Sequence, residues 1–234
     1  MIARASDQAA GSPARPQGGS HAPPQPKLAG RCPDASLEPY RLLLSRLPAL
    51  RTLGLTSAAA GEGVSTVTAR VACAAAALPG RVLLVDAHLE RPAQHRHFDL
   101  EPGPGLAEVL LDGTAPGDVI QWPGVADLAV LTAGTPGNRL PAAREALAQG
   151  QALDAIKAGF DLVLFDLPPG EDGPLAARLG ALLDGVLLVI EAEATAARLV
   201  QREKALLTRA NVPLLGAVLN KRRQYIPGWL QRCL

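Results

Sequence analysis

Cysteine and aromatic residues are scarce in this chain, neither sign of charge predominates, and long apolar runs are missing. Cys32, Cys73 and Cys233 are odd in number and scattered, without the spacing of a metal site. That pattern argues against a disulfide framework or structural zinc and agrees with a reducing cytoplasm. Lys and Arg number 23 against 22 Asp and Glu, so overall charge gives no attraction to nucleic acid or a membrane surface. The one local exception is the basic group Lys221, Arg222, Arg223 and Arg232. Runs such as Ala74 to Leu78 or Val186 to Ile190 fall far short of the ~20 apolar residues that cross a bilayer. Met1 to about Gly30 is rich in Pro, Gly, Ser, Ala and Gln and has no apolar core of the secretory kind. Residues 1–33 therefore read as a disordered tail. The remaining span, 34–234, reads as one soluble, cytoplasmic domain, since a 234-residue chain that is 48% apolar can build a sizeable core.

What is present alternates. Short apolar segments at Thr52–Thr56, Val82–Asp86, Leu128–Thr132, Leu162–Asp166, Gly185–Glu191 and Leu214–Leu219 are separated by longer stretches with helical character. The helical stretches are Ser65–Leu78, Gly105–Leu111, Ala142–Ala158, Pro174–Leu183 and Ala194–Arg209. This rhythm predicts an α/β fold with a doubly wound, mostly parallel sheet. Val82-Leu83-Leu84-Val85 is apolar on both parities, as suits strands covered on both faces. A first helix, capped by Asp34 or Ser36, is expected to run through Tyr40 to about Leu47, with Pro48 ending it. Between Arg91 and Asp127, Pro, Gly and His cluster, and mobile loops are expected there.

The most telling segment joins the first strand to the helix that follows it: Ser57-Ala58-Ala59-Ala60-Gly61-Glu62-Gly63-Val64-Ser65-Thr66. It has the form of a phosphate-binding loop, in which backbone N–H groups and a helix N-terminus wrap phosphates, a lysine reaches their oxygens and the next Ser or Thr serves Mg²⁺. Val64 stands at the lysine position. Asp86 and Asp166 close two other strands, and in an open parallel sheet the carboxyl ends of the strands are where ligands bind. Loop, Asp86 and Asp166 can therefore converge. His88, His95 and His97 lack a partner cysteine and helical spacing, so they are not read as a metal site.

Together these residues resemble the bacterial tyrosine kinases of capsule and exopolysaccharide synthesis, a branch of the MinD/ParA-like P-loop proteins. The resemblance covers roughly Leu37 to Leu234. It rests on Gly61-Glu62-Gly63 with Ser65-Thr66, on Val82 to Asp86 with Leu89, Arg91 and Pro92, and on Pro104-Gly105-Leu106. Asp161 to Asp166 with Pro168-Pro169, Asp184-Gly185-Val186 and Gly216 to Asn220 complete it. It implies a P-loop NTPase fold and a site for ATP or ADP with Mg²⁺. In that site Gly61, Glu62, Gly63, Val64, Ser65 and Thr66 would form the phosphate cradle, Ser65 and Asp166 would serve the metal, Asp86 would assist transfer to tyrosine, and Asn220 would read adenine. The implied partner is the cytoplasmic segment of a membrane polysaccharide co-polymerase, which would place the domain at the inner membrane. Glu38 and Arg41 begin the family's self-assembly helix, which implies a homo-oligomer, although Leu44 replaces its second Arg.

The chain departs from the family at functional positions: Val64 replaces lysine, His88 replaces the second carboxylate of an Asp-x-Asp element, and Arg70 stands where Asn is usual. The C-terminal tyrosine cluster is reduced to Tyr225. The expectation is a nucleotide-binding regulator of polysaccharide assembly or export with impaired catalysis. One alternative is an active, divergent tyrosine autokinase that uses Arg70 or a neighbouring subunit's lysine. Another is a MinD/ParA-type positioning ATPase, for which the basic group at Lys221–Arg223 would be the contact.

Overall fold

The computed structural model describes residues 36–222. The expected tail, Asp34, Tyr225 and the basic residues beyond Arg222 lie outside the described residues. The elements in chain order are α1 (Glu38–Ser45), β1 (Thr52–Ser57), α2 (Val64–Ala76), β2 (Val82–Asp86), α3 (Gln94–His97), α4 (Leu106–Asp112), α5 (Pro116–Val119) and β3 (Leu128–Leu131). They continue with α6 (Leu140–Ala148), α7 (Leu153–Lys157), β4 (Leu162–Asp166), α8 (Leu175–Gly180), β5 (Gly185–Glu191), α9 (Ala197–Arg209) and β6 (Leu214–Asn220). All six strands stand where the apolar runs placed them.

Every strand pairing is parallel, in the order β3-β2-β4-β1-β5-β6. Alternation along the strands divides the core. Leu83, Val85, Val163 and Phe165 face one side and pack under α4, α6, α7 and α8. Val82, Leu84, Leu164, Leu53 and Leu55 face the other, under α2, with α1 packed outside it. Burial on both faces is why these strands carry no polar alternation. The order sends the chain from β1 across β4 to β2, so the carboxyl ends of β1, β4 and β2 lie side by side. Leu167 N–H donates to Leu55 O at 2.9 Å and Thr56 Oγ1 to Pro168 O at 2.7 Å, which ties the end of β1 to the loop after β4.

Three local expectations are corrected. The single helix expected over Ala142–Ala158 is two, because the chain turns at Gly150 (φ 73°) and Ala152 (φ 61°), left-handed conformations that no helix contains. α1 begins at Glu38 without a side-chain cap; Ser36 Oγ is a marginal 3.4 Å from Glu38 N. The stretch from Arg91 to Asp127 holds the expected helix over Gly105–Leu111 as α4, with two four-residue helices, α3 and α5, beside it. Cys73, buried in α2, is disulfide-bonded, since spacing along a chain does not report which cysteines a fold brings together.

Asp184 fastens the amino-terminal edge of the sheet. Its Oδ2 accepts from Arg51 N (2.9 Å), Thr52 N (2.8 Å) and Thr52 Oγ1 (2.9 Å), joining the starts of β1 and β5. Asp184→Ala strands three donors and is expected to cost about 1–3 kcal/mol in urea unfolding. A loss within experimental error would show that water replaces the carboxylate.

Candidate functional site

The loop between β1 and α2 turns on two glycines, Gly61 at φ 83° and Gly63 at φ 89°. Both are in the left-handed region that a side chain disfavours. Gly63 immediately precedes α2 and its carbonyl accepts the first helical bond, from Val67 N at 3.0 Å. The helix thus points its N-terminus into a hollow of about 240 Å³ bounded by the loop, His88, Arg91 and Pro169. Val64 is buried at the point where a lysine would stand. A larger hollow of about 350 Å³ lies between α6 and α8. Its charges are already matched, Arg178 with Glu145 and Arg144 with Glu90.

The first three amides of the loop and two of its carbonyls are paired from within the protein. Glu62, itself buried, accepts from Ala58 N (3.1 Å) and Ala59 N (3.4 Å) and receives the Thr195 hydroxyl. Glu171 Oε1 accepts from Ala60 N at 2.6 Å. Asn220, the residue implied to read adenine, donates its side-chain amide to Glu62 O at 2.9 Å. Lys221 donates to Gly61 O (2.6 Å) and Glu191 (2.8 Å).

Asp86 and Asp166 are paired in register at the ends of β2 and β4, both with no exposed surface. Asp86 is saturated: Oδ1 accepts from His88 N (3.3 Å), and Oδ2 from Ala93 N and Gln94 N (2.9 Å each). These three bonds shape the chain that follows β2. Asp166 Oδ2 accepts from Gln94 Nε2 (2.7 Å), which also reaches Ser65 O (3.1 Å). Its Oδ1 is buried without a hydrogen bond. Burial raises both carboxyls, Asp86 to about 6 against the pull of the three amides, and Asp166 to about 8 with the Asp86 charge adding to the effect. The Ser65 hydroxyl acts on Asp166 in the opposite direction. An orphaned carboxylate oxygen beside a serine at a helix N-terminus fits a divalent cation, and Ser65 and Asp166 are the residues that would hold Mg²⁺. Bound there, Mg²⁺ would supply positive charge to phosphate oxygens.

The structure therefore brings together the loop, Ser65, Asp86 and Asp166. It removes Arg70 from consideration, because Arg70 lies on α2 facing α1 and donates to Tyr40 Oη at 3.2 Å. His88 turns toward Asp172, with Nε2 3.3 Å from Oδ2 but misaligned for a hydrogen bond. His88, Glu90 and Asp172 form a group of metal-ligand types, yet Arg144 and Arg91 already pair with the two acids. Gln94, Glu171 and Asp172 were missed by sequence reasoning. All three lie in elements of one turn, too short to show a periodicity, and only Gln94's closeness to the Asp86 segment could have drawn attention to it.

This is the architecture of a P-loop protein of MinD/ParA-like fold. The septum site-determining protein MinD of Pyrococcus horikoshii, solved with Mg-ADP, superimposes with a TM-score of 0.63 over 78% of this chain and 76% of that one, at 21% identity, a likeness of fold alone. The kinase domain of the Escherichia coli tyrosine kinase ETK superimposes with a TM-score of 0.72 at 28% identity, covering 82% and 79% of the two chains. In sequence, the tyrosine-protein kinase YwqD of Bacillus subtilis is 34% identical over 175 residues, 74% of this chain and 73% of that protein. The putative tyrosine-protein kinase CapB of Staphylococcus aureus is 32% identical over 74% and 75%. The succinoglycan biosynthesis transport protein ExoP of Rhizobium meliloti is 30% identical over 73% of this chain, which spans only 22% of that longer protein. Residues 50–215 match the family model described as cellulose biosynthesis protein BcsQ. The chain belongs to the family of bacterial tyrosine kinases of capsule and exopolysaccharide biosynthesis, with a lysine-less phosphate loop.

The acid pair gives a pH signature. Both folded pKa values lie above the ordinary 3.8, so between about pH 4 and 8 the folded chain holds protons that the unfolded chain has lost. Stability from these groups is therefore present at the acid end and lost as pH rises through that window. Asp166→Asn mimics the protonated acid; at pH 8 it is expected to be more stable than wild type by on the order of 2 kcal/mol, with a flatter dependence of Tm on pH. Parallel pH profiles for the two proteins would refute the assignment.

Proposed function

We propose that this chain is a nucleotide-binding regulator of polysaccharide assembly whose capacity for phosphoryl transfer is impaired. The observation that carries the reading is Val64: the lysine position of an otherwise well-formed phosphate loop holds a buried aliphatic side chain. A unit charge ~4 Å from phosphate is worth on the order of 4 kcal/mol at an effective dielectric of about 20. Withdrawing about half of that from a transition state slows transfer more than tenfold. Backbone N–H groups, the helix N-terminus and Mg²⁺ held by Ser65 and Asp166 are independent of the lysine, so binding outlives catalysis.

In this reading Asn220 contacts the adenine of ATP or ADP, and Asp86 organises the chain from His88 to Gln94 rather than accepting a proton. The proposed partner is the cytoplasmic segment of a membrane polysaccharide co-polymerase, which would bring the domain to the inner membrane. Two observations support it: the family's link to capsule and exopolysaccharide synthesis, and a region similar to this chain within the longer transport protein. No helix among the described residues is long and apolar enough to cross a membrane. Nucleotide state would act through the α1 surface on self-association, and so on the assembly of the export machinery.

Titration of the purified chain with Mg²⁺ and a fluorescent ATP analogue, beside Val64→Lys and Asp166→Ala, tests the proposal. Wild type is expected to bind with little turnover, Val64→Lys to gain turnover more than tenfold, and Asp166→Ala to lose the Mg²⁺ dependence of binding. Turnover in wild type equal to that of Val64→Lys would favour an active autokinase. Absence of binding in all three would leave protein contacts as the function.

A further inference from the structure

Three consecutive N–H groups, those of Ala58, Ala59 and Ala60, open the loop. The first two bond to Glu62, a residue of the loop itself. The third bonds to Glu171, which comes from a short 3-10 turn, Gly170–Asp172, after β4. The next residue of the same turn, Asp172, holds the guanidinium of Arg91. Arg91 is the one permanent cation among the described residues lining the loop hollow. Lys221 is engaged with the Gly61 carbonyl and Glu191, and Arg70 with Tyr40. His88 adds no charge near neutral pH, since burial foremost lowers its pKa below 6.5.

One turn therefore places two carboxylates on the two kinds of group that a phosphate needs, a loop N–H and a cation. Carboxylate and phosphate oxygens accept the same charge-assisted bonds. The turn ends at Gly173, whose φ of 114° lets the backbone pivot there, and it is also held by Arg144, which donates to Asp172 O at 2.9 Å; half of the Arg91 side chain is exposed.

We propose that Glu171 and Asp172 are internal stand-ins for a nucleotide's phosphates, and that Arg91 is the cation that takes over from the missing lysine when the turn is displaced. The inference rests on the nucleotide-binding reading above. Phosphate binding then requires the Gly170–Asp172 turn to leave the loop, and nucleotide occupancy is reported to the surface by the position of that turn. Arg91 belongs to the chain that Asp86 organises after β2, so the substitute cation approaches from the β2 side of the pocket instead of from α2.

The test is calorimetric titration of the full chain, in Mg²⁺, with inorganic pyrophosphate and separately with ADP. Wild type is compared with Glu171→Ala/Asp172→Asn and with the same double variant carrying Arg91→Gln. The double variant is expected to bind both probes about tenfold or more tightly than wild type, and Arg91→Gln to abolish the gain. Glu171→Gln, which keeps the shape of the turn, is expected to give a smaller gain in the same direction. Unchanged affinity in the double variant, a gain that survives Arg91→Gln, or no pyrophosphate binding in any protein would overturn the proposal. A pyrophosphate gain that depends on Arg91, with ADP binding no better than pyrophosphate, would uphold the stand-ins while refuting the nucleotide reading.

Discussion

Two carboxylates buried side by side at the ends of β2 and β4 are the constraint on which the rest of this site depends. Asp86 and Asp166 have no contact with solvent, and two charges so close cannot both remain ionised without cations or dipoles to hold them. The protein answers for Asp86 with three backbone N–H groups, from His88, Ala93 and Gln94. Satisfying that one side chain fixes the path of residues 88–94, and with it the positions of His88, Glu90 and Arg91. For Asp166 the protein supplies one donor, Gln94 Nε2, and leaves an oxygen open beside Ser65. The difference between the two acids, one saturated and one half-satisfied, is what sets Asp86 apart from Asp166, for which cation binding is proposed.

The phosphate loop shows the opposite economy. The opening amides and two of the carbonyls have internal partners: Glu62 and Glu171 on the N–H groups of Ala58, Ala59 and Ala60, Asn220 and Lys221 on the carbonyls of Glu62 and Gly61. Such a loop is stable without ligand, which agrees with Val64, since a valine at that position contributes packing where a lysine would have contributed an unmatched charge. A loop that has the shape without the charge, beside a buried acid pair, accords with the impaired transfer proposed above. Membership of a kinase family then describes descent and architecture, while the work assigned to this chain is proposed from its own residues.

The six strands, their parallel arrangement and the phosphate loop were all legible in the amino-acid order. Strands buried on both faces must be continuously apolar, as Val82 to Val85 and Val186 to Ile190 are, and Gly61 and Gly63 are required wherever a loop turns this tightly onto a helix. The helix expected across Ala142–Ala158 failed because Ala152 takes a left-handed conformation that its side chain does not advertise. Asp86 and Asp166 were found because strand ends in a parallel sheet are topologically special. Their unequal satisfaction was not, since it depends on Gln94 in a four-residue helix that no periodicity announces.

By itself the sequence determined the class of fold, the lysine-less loop and the presence of two acids at the sheet's carboxyl edge, because local periodicity, glycine placement and strand termini are short-range properties. Tertiary structure alone decided that Glu171, 111 positions further along the chain, occupies the Ala60 N–H, that Asp172 holds Arg91, and that Arg70 faces away from the pocket. Those contacts join surface turns whose residues are ordinary in their own neighbourhoods. Only folding the sheet brings the loop after β4 over the loop after β1, and that approach decides which charges reach the phosphate cradle.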